Sequence, residues 1–450
     1  MIPETGSTVT ENFVFDYADG MEIASLELRA VATYKKESVT IPARKIADGI
    51  ITTYRLACTK GSLAYKADNY QEVIHQSAEG QIMYSVNSAV VKNSELKGSS
   101  IKALQETLAE KKADERVTVT GTKIVAYASP EGGEKLNSKL SDKRAESAKK
   151  VWSKIDKDLA AGETEIQSVG QDWEGFKEAV SNSDLQDKNL ILRVLSMYSD
   201  PAVRESEIRN MSKVFTELKD EVFPDLRRAR FVTDMDYKNY TKEELKDIAA
   251  KTLSSLDEEA VLRLGSIESD LAKKAEYYKY AADNFGSQKG LYNLAVAYLQ
   301  QGKDAAAADA LAKIADKTDA DVRNAFGVVA LHEGNINKAA EFFKASATKE
   351  ARYNEGVVDI LNGNYEKAAA ELEGAGNANE ALVKVLLGKY DAAKAVAANC
   401  KCGLGKYVSA VASARQGKVV EAKASLDEAV AACEKLKARA KKDIEFVTVK

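Results

Sequence analysis

The residues best suited to gripping a charged ligand lie in one run, AYASPEGGEKLNSKLSDKRAESAKKVW, from Ala126 to Trp152. Its pattern predicts a strand, a glycine-bearing loop and then a helix, and a helix N-terminus favours anions. Leu136, Leu140, Arg144 and Ala148 recur every four residues and are expected to share one helical stripe. Leu136 and Leu140 would then anchor the stripe on a sheet, leaving Arg144 at the mouth of the loop. A guanidinium there can take a carboxylate through two parallel hydrogen bonds. Asn137 can donate and accept beside it. An Arg144→Ala chain is expected to fold intact and to lose such a ligand.

Other groups with chemical potential are fewer. Asp172 and Glu174 flank Trp173 in QDWEGF, a set that could line a sugar site, although a tryptophan plugging a sheet edge is the plainer reading. Cys400 and Cys402 form a lone C-x-C, with Cys58 and Cys433 elsewhere and His75 and His332 both distant in sequence. That is too few ligands for a four-coordinate zinc site. Small side chains in helix packing are the plain reading of these cysteines. Pairing with Cys433 stays open in an oxidising compartment. The chain has no G-x-S-x-G elbow, P-loop, H-E-x-x-H or kinase motif. We therefore expect no catalysis, no metal and no cofactor.

The elements that must position these residues divide the 450-residue chain in three, in line with roughly 150 residues per domain. Residues 1–78 read as an antiparallel β segment, sandwich-like, from alternation in FVFDY (Phe13, Phe15, Tyr17), LELRAVATY, VTIPARKI and GIITTYRLA. Residues 79–240 read as strand, helix, strand, helix, strand, a less regular helical stretch and a closing strand, RRARFVTDMDY. Residues 241–450 read as helices only. There, Gly302, Gly334, Gly363, Gly388 and Gly417 recur at steps of 32, 29, 25 and 29 residues. Five residues after each comes an alanine: Ala307, Ala339, Ala368, Ala393 and Ala422. A glycine that ends one helix, followed by a small residue where the next helix must approach, is the signature of a solenoid. The fold class is thus multidomain α+β.

With 65 basic and 69 acidic residues the net charge is only −4, and no nucleic-acid partner is expected. No run of 18 apolar residues predicts a membrane-spanning helix. The first residues lack a basic and apolar leader, as expected of a cytosolic chain, of a truncated one, or of a mature chain whose signal peptide has been removed. IPETG (Ile2–Gly6) looks like a sorting signal, but it stands at the wrong end of the chain.

Two resemblances add to this reading. The run G-N-Y-E-K-A-A (Gly363–Ala369) resembles the tetratricopeptide repeat, a helix–turn–helix unit of about 34 residues, although most repeats here are shorter. The likeness covers roughly 250–435. It implies a protein or peptide partner on a concave face built from the first helix of each repeat, with Asn293, Asn324, Arg352 and Asn354 as candidate contacts.

Gly132, Asn137, Leu140, Ser141, Arg144 and Ala145 fall in register with the N-x-x-L-S-x-x-R-A motif of the C-terminal domain of OmpA-like proteins. Arg227 matches that family's closing-strand arginines. This likeness, over roughly 79–240, implies an α+β sandwich that binds peptidoglycan, with the arginine on a carboxylate and an aspartate on an ammonium. It also implies a place in the periplasm or at the outer membrane of a Gram-negative envelope. Fifteen residues before Arg144, where the family has that aspartate, stands Ser129; Glu131 is the nearest carboxylate. The implied ligand set is Ser129, Glu131, Asn137, Arg144 and Arg227. The alternative is a docking scaffold that has given up peptidoglycan.

Overall fold

The computed structural model describes residues 20–449 and the isolated positions 8, 10, 12 and 18. The strand expected at Phe13–Tyr17 and the IPETG run lie largely or wholly outside them. The chain forms two compact units, one built from 1–69 with 248–450 and the other from 70–247.

The 70–247 unit is a four-stranded sheet of β3 (Val73–Met83), β4 (Val117–Ala128), β5 (Glu165–Gln171) and β6 (Arg228–Lys238), in the order β3-β6-β4-β5. β6 runs antiparallel to both neighbours, and β4 runs parallel to β5. Helices α1 (Ser99–Ala113) and α2 (Glu134–Ile155) cover the face that carries Ala78, Ile82, Ile124, Ala126, Phe231 and Met235. Trp152 stacks on Phe231 with ring centres 5.2 Å apart. After a short α3 (Lys157–Ala161), helices α4 (Trp173–Asn182), α5 (Lys188–Met197), α6 (Pro201–Asn210) and α7 (Ser212–Glu221) close on a second core around Phe176, Ile191, Leu218 and Phe223.

The helical stripe of α2 differs from the expected one. Leu136 is 58% exposed, and the buried line runs Asn137, Ser141, Arg144, Ala145, Ala148, Trp152 and Ile155. Alternating steps of three and four follow a 3.6-residue period for five turns, whereas strict steps of four drift off the face.

The described residues before 79 do not form a β module of their own. β1 (Ser25–Tyr34) and β2 (Glu37–Asp48) make a two-stranded hairpin whose residues are almost all exposed, and no second layer covers it among the described residues. The expected boundary at 78/79 would cut β3, which pairs with β6 along its whole length from Val73 to Met83. GIITTYRLA is not a strand. It contains a single 3₁₀ turn, Thr53–Leu56, and the chain then runs on to residue 69 with no ladder partner.

Helix α8 (Lys242–Thr252) carries the chain into the helical part. Then follow α9 (Glu258–Ile267), α10 (Leu271–Phe285), α11 (Gln288–Gln300), α12 (Asp304–Lys313), α13 (Ala320–His332), α14 (Ile336–Lys344) and α15 (Lys349–Leu361). The rest are α16 (Tyr365–Leu372), α17 (Ala378–Leu386), α18 (Tyr390–Asn399), α19 (Gly403–Arg415), α20 (Val419–Ala432) and α21 (Glu434–Lys442).

From α11 to α20 they stack as helical hairpins, α11 on α12 through to α19 on α20, a tetratricopeptide-like array. The five expected glycines all take positive φ, from 71° to 80°, which a side chain resists. The five alanines that follow are each 0% exposed, so the second helix packs against the first at the contact distance of a methyl group.

Candidate functional site: an asparagine ladder around an extended segment

The unpaired stretch after Leu56 lies along the first helices of the repeats, and its backbone is held by asparagine side chains. Asn379 on α17 accepts from the Cys58 amide at 2.7 Å and donates to its carbonyl at 3.0 Å. Asn354 on α15 treats Ser62 in the same way, at 2.7 and 3.0 Å, while Asn324 on α13 adds a second bond to the Ser62 carbonyl. Asn293 on α11 closes the ladder on Lys66, at 2.8 and 2.9 Å. The carboxamides of Asn293, Asn354 and Asn379 thus do for the segment what a neighbouring strand does in a sheet.

The spacing is consistent with chain geometry. The eight steps from Cys58 to Lys66 reach at most about 26 Å. Three steps between packed helices of about 9 Å cover the same distance. The segment therefore meets four successive first helices, at one clamp for every four residues.

All four asparagines are at most 2% exposed. A buried amide left without partners costs about 1–3 kcal/mol, so the bonds that these side chains make to the segment favour a filled groove over an empty one. Side chains fix the register. Gly61 has φ +74°, and a Cβ there would stand 2.6 Å from Val328 Cγ2. The Lys66 ammonium pairs with Asp319 at 2.6 Å and lies over the Tyr292 ring. Burial alone would raise the Asp319 carboxyl, but Lys66 and the Val322 amide hold it below the usual range. Tyr292 donates to the Ala64 carbonyl at 2.9 Å, and burial raises its phenol so that it stays a donor. At the far end Asn69 N–H donates to Glu259, and Leu56 enters the core of the last repeats.

Of the four residues expected on this face, Asn293, Asn324 and Asn354 are in the ladder. Arg352 is not: it is one helical step away and donates to the Ala370 carbonyl. Asn379 was missed because its helix is short, yet a signal existed. Asn293, Asn354 and Asn379 each precede a repeat-closing glycine by nine residues, and Asn324 by ten. The last repeat has Val408 at that place, and no clamp there.

The structure also brings Ser129, Glu131, Asn137 and Arg227 together, but around one another. Glu131 takes a two-pronged ion pair from Arg227, at 2.9 and 3.1 Å, and a hydrogen bond from Ser129. Asn137 donates to the carbonyls of Ser129 and Gly132 and pins the loop. Arg144 does not stand at a mouth. It is 1% exposed, and it donates to the carbonyls of Ser85, Ser88 and Tyr127. Burial lowers its pKa to about 10. Removing it would strand three carbonyls, so an Arg144→Ala chain is no longer expected to fold unharmed.

Asp172 and Glu174 do not converge. Asp172 caps α4 through the Gly175 amide and pairs with Arg228 at 2.9 Å. Trp173 packs edge-on against Phe176 and donates to Gln171. The open face of the sheet forms a cleft of about 940 Å³, where Arg230 is paired with Glu79. Among the described residues no group of His, Cys, Asp and Glu is placed to hold a metal, and no helix is long and apolar enough to cross a membrane.

No family model matches this sequence, and no curated protein does. Solved structures resemble it in part. The Cut9–Hcn1 hetero-tetramer of the APC/C is 15% identical over 44% of this chain, with a TM-score of 0.39, and only 44% of that chain is spanned. A tetratricopeptide repeat protein from Parabacteroides merdae is 16% identical over 45% of this chain and 90% of its own, with a TM-score of 0.36. YrrB, described as a tetratricopeptide protein with an unusual peptide-binding site, is 17% identical over 44% of this chain and 97% of its own, with a TM-score of 0.24.

Proposed function

We propose that this chain is a non-catalytic interaction scaffold whose helical array grips extended polypeptide through the asparagine ladder. The observation that carries the reading is the two-way pairing of Asn293, Asn354 and Asn379 with the backbone of every fourth residue. Backbone pairing gives affinity with little regard to sequence, and the seats for Gly61 and Lys66 add selection. In this chain the occupant is its own segment, so a partner must compete with it or take its place.

The test opens the groove. Gly61→Val forces a branched side chain onto Val328 at positive φ and is expected to expel the segment. A labelled peptide of residues 52–69 should then bind the Gly61→Val chain and not the wild type. Adding Asn354→Ala should weaken that binding at least tenfold, or about 1.4 kcal/mol. A Gly61→Val chain that stays folded and ignores the peptide would sink the reading.

The 70–247 unit, OmpA-like by its motif, fits the same scaffold as a docking module without peptidoglycan affinity. Support comes from Arg144 being spent on three carbonyls, Arg227 being held by Glu131, and an uncharged Ser129. Co-sedimentation of the full chain with purified sacculi would favour the peptidoglycan reading instead. A place in the cell envelope is part of the proposal. The Cys400–Cys402 disulfide supports it, because such bonds persist in oxidising compartments.

A further inference from the structure

The C-x-C, read from sequence as small side chains in helix packing with pairing to Cys433 left open, is a Cys400–Cys402 disulfide at a helix start, with a third cysteine beside it. Cys400 is the C-cap of α18, and Cys402 is the N-cap of the thirteen-residue α19. The Cys402 sulfur accepts the Gly405 amide at 3.4 Å and is exposed, while Cys400 is half-buried. Two glycines make room for this. A Cβ at Gly405 would fall 3.1 Å from the Cys400 sulfur. One at Gly403 would fall 3.4 Å from the Cys433 Cβ. Cys433 is a free thiol in the turn after α20 and so lies against the residue next to Cys402. The string C-K-C-G-L-G thus seats the Cys400–Cys402 pair at one helix N-terminus, with the Cys433 Cβ beside Gly403.

We propose that Cys400, Cys402 and Cys433 form a thiol–disulfide exchange site whose substrates are thiols, above all the dithiol of a partner polypeptide. Direction follows from the helix. Its N-terminal amides stabilise a thiolate on Cys402, the better leaving group. An incoming thiolate bonds to the Cys400 sulfur, the Cys400–Cys402 bond breaks, and its electron pair leaves on Cys402. A second thiolate of the same partner then attacks the partner sulfur and expels Cys400. The partner is oxidised by two electrons to a disulfide, and Cys400 and Cys402 end as two thiols. A monothiol cannot take the second step. Cys433 takes it instead by attacking Cys400, which frees the monothiol and leaves a Cys400–Cys433 disulfide with no net oxidation.

Reduced glutathione is the probe, added to the full chain and followed by acid quench, alkylation and non-reducing peptide mapping. Wild type is expected to yield a Cys400–Cys433 disulfide. Cys433→Ser and Cys433→Ala should instead accumulate glutathione on Cys400, at least fivefold above wild type, with circular dichroism unchanged. After full reduction, Cys402 should be alkylated at least tenfold faster than Cys433 at pH 7. Glutathione found on Cys402 and not on Cys400, or a product pattern indifferent to Cys433, would overturn the site. So would Cys400 and Cys402 recovered as free thiols from the chain before any reductant is added.

Discussion

At the scale of single residues, the buried polar groups carry most of the meaning. The enclosed asparagines and Arg144 are each explained by what they touch, and so is the pair Glu371 and Asp359. Glu371 on α16 faces Asp359 on α15, with Lys367 bonded to Asp359 at 2.8 Å and near Glu371 at 3.4 Å. Burial, the hydrogen bond to Asp359 and that neighbour's charge push Glu371 up to about 7. Asp359 resists burial through Lys367 and Asn364 and stays below the usual range. A folded-state value above the unfolded 4.5 means that the folded chain holds a proton which the unfolded chain has shed. The stability from this group is therefore present at low pH and lost as pH rises through about 7. Glu371→Gln should melt with wild type at pH 4 and about 2 °C above it at pH 8. Parallel melts at both pH values decide the point; an equal gap at each would reject the shared proton.

At the scale of elements, turns and stripes did different amounts of the positioning. The repeat-closing glycines were legible because positive φ selects one residue type and the selection recurs. Gly363 has φ +80° and open space around its missing Cβ, so substitution there tests the backbone alone. Gly363→Val should cost about 1–2 kcal/mol, read as a lowered thermal midpoint of the array, with Gly363→Asn less affected. An unshifted midpoint for the valine variant would count against the turn. The α2 stripe was less legible. Leucines at steps of four suggested a packed face, but Asn137 and Arg144 are the ones enclosed, because the loop and the strand ends offer them carbonyls.

At the scale of the whole molecule, residues 1–69 complete a unit whose remainder begins at 248. The segment supplies the backbone that the ladder needs and a leucine to the core of the last repeats. Deleting residues 1–69 should therefore strand the four asparagines and lower the array's thermal midpoint by roughly 5 °C or more. Adding a peptide of residues 52–69 at a hundred times its dissociation constant should return about 2.7 kcal/mol. A deletion chain that melts like the parent would mean that the groove closes on itself and does not need an occupant.

Periodicity and turn chemistry are properties of neighbours in the chain, and the sequence by itself determined what depends on them. It was enough for the helical array, its glycine turns, its alanine contacts and three of the four ladder asparagines. It was enough as well for the strand–helix alternation between 79 and 240. Only the tertiary structure decided what those side chains face. The chain after Leu56, read as part of a β segment, is clasped by helices more than two hundred residues away, since an unpaired backbone takes whatever donors and acceptors lie alongside. Arg144 turned inward for the same reason, because three carbonyls at strand and loop ends needed a donor. The C-x-C acquired its possible chemistry from a cysteine thirty-one residues on, brought close by one helical hairpin.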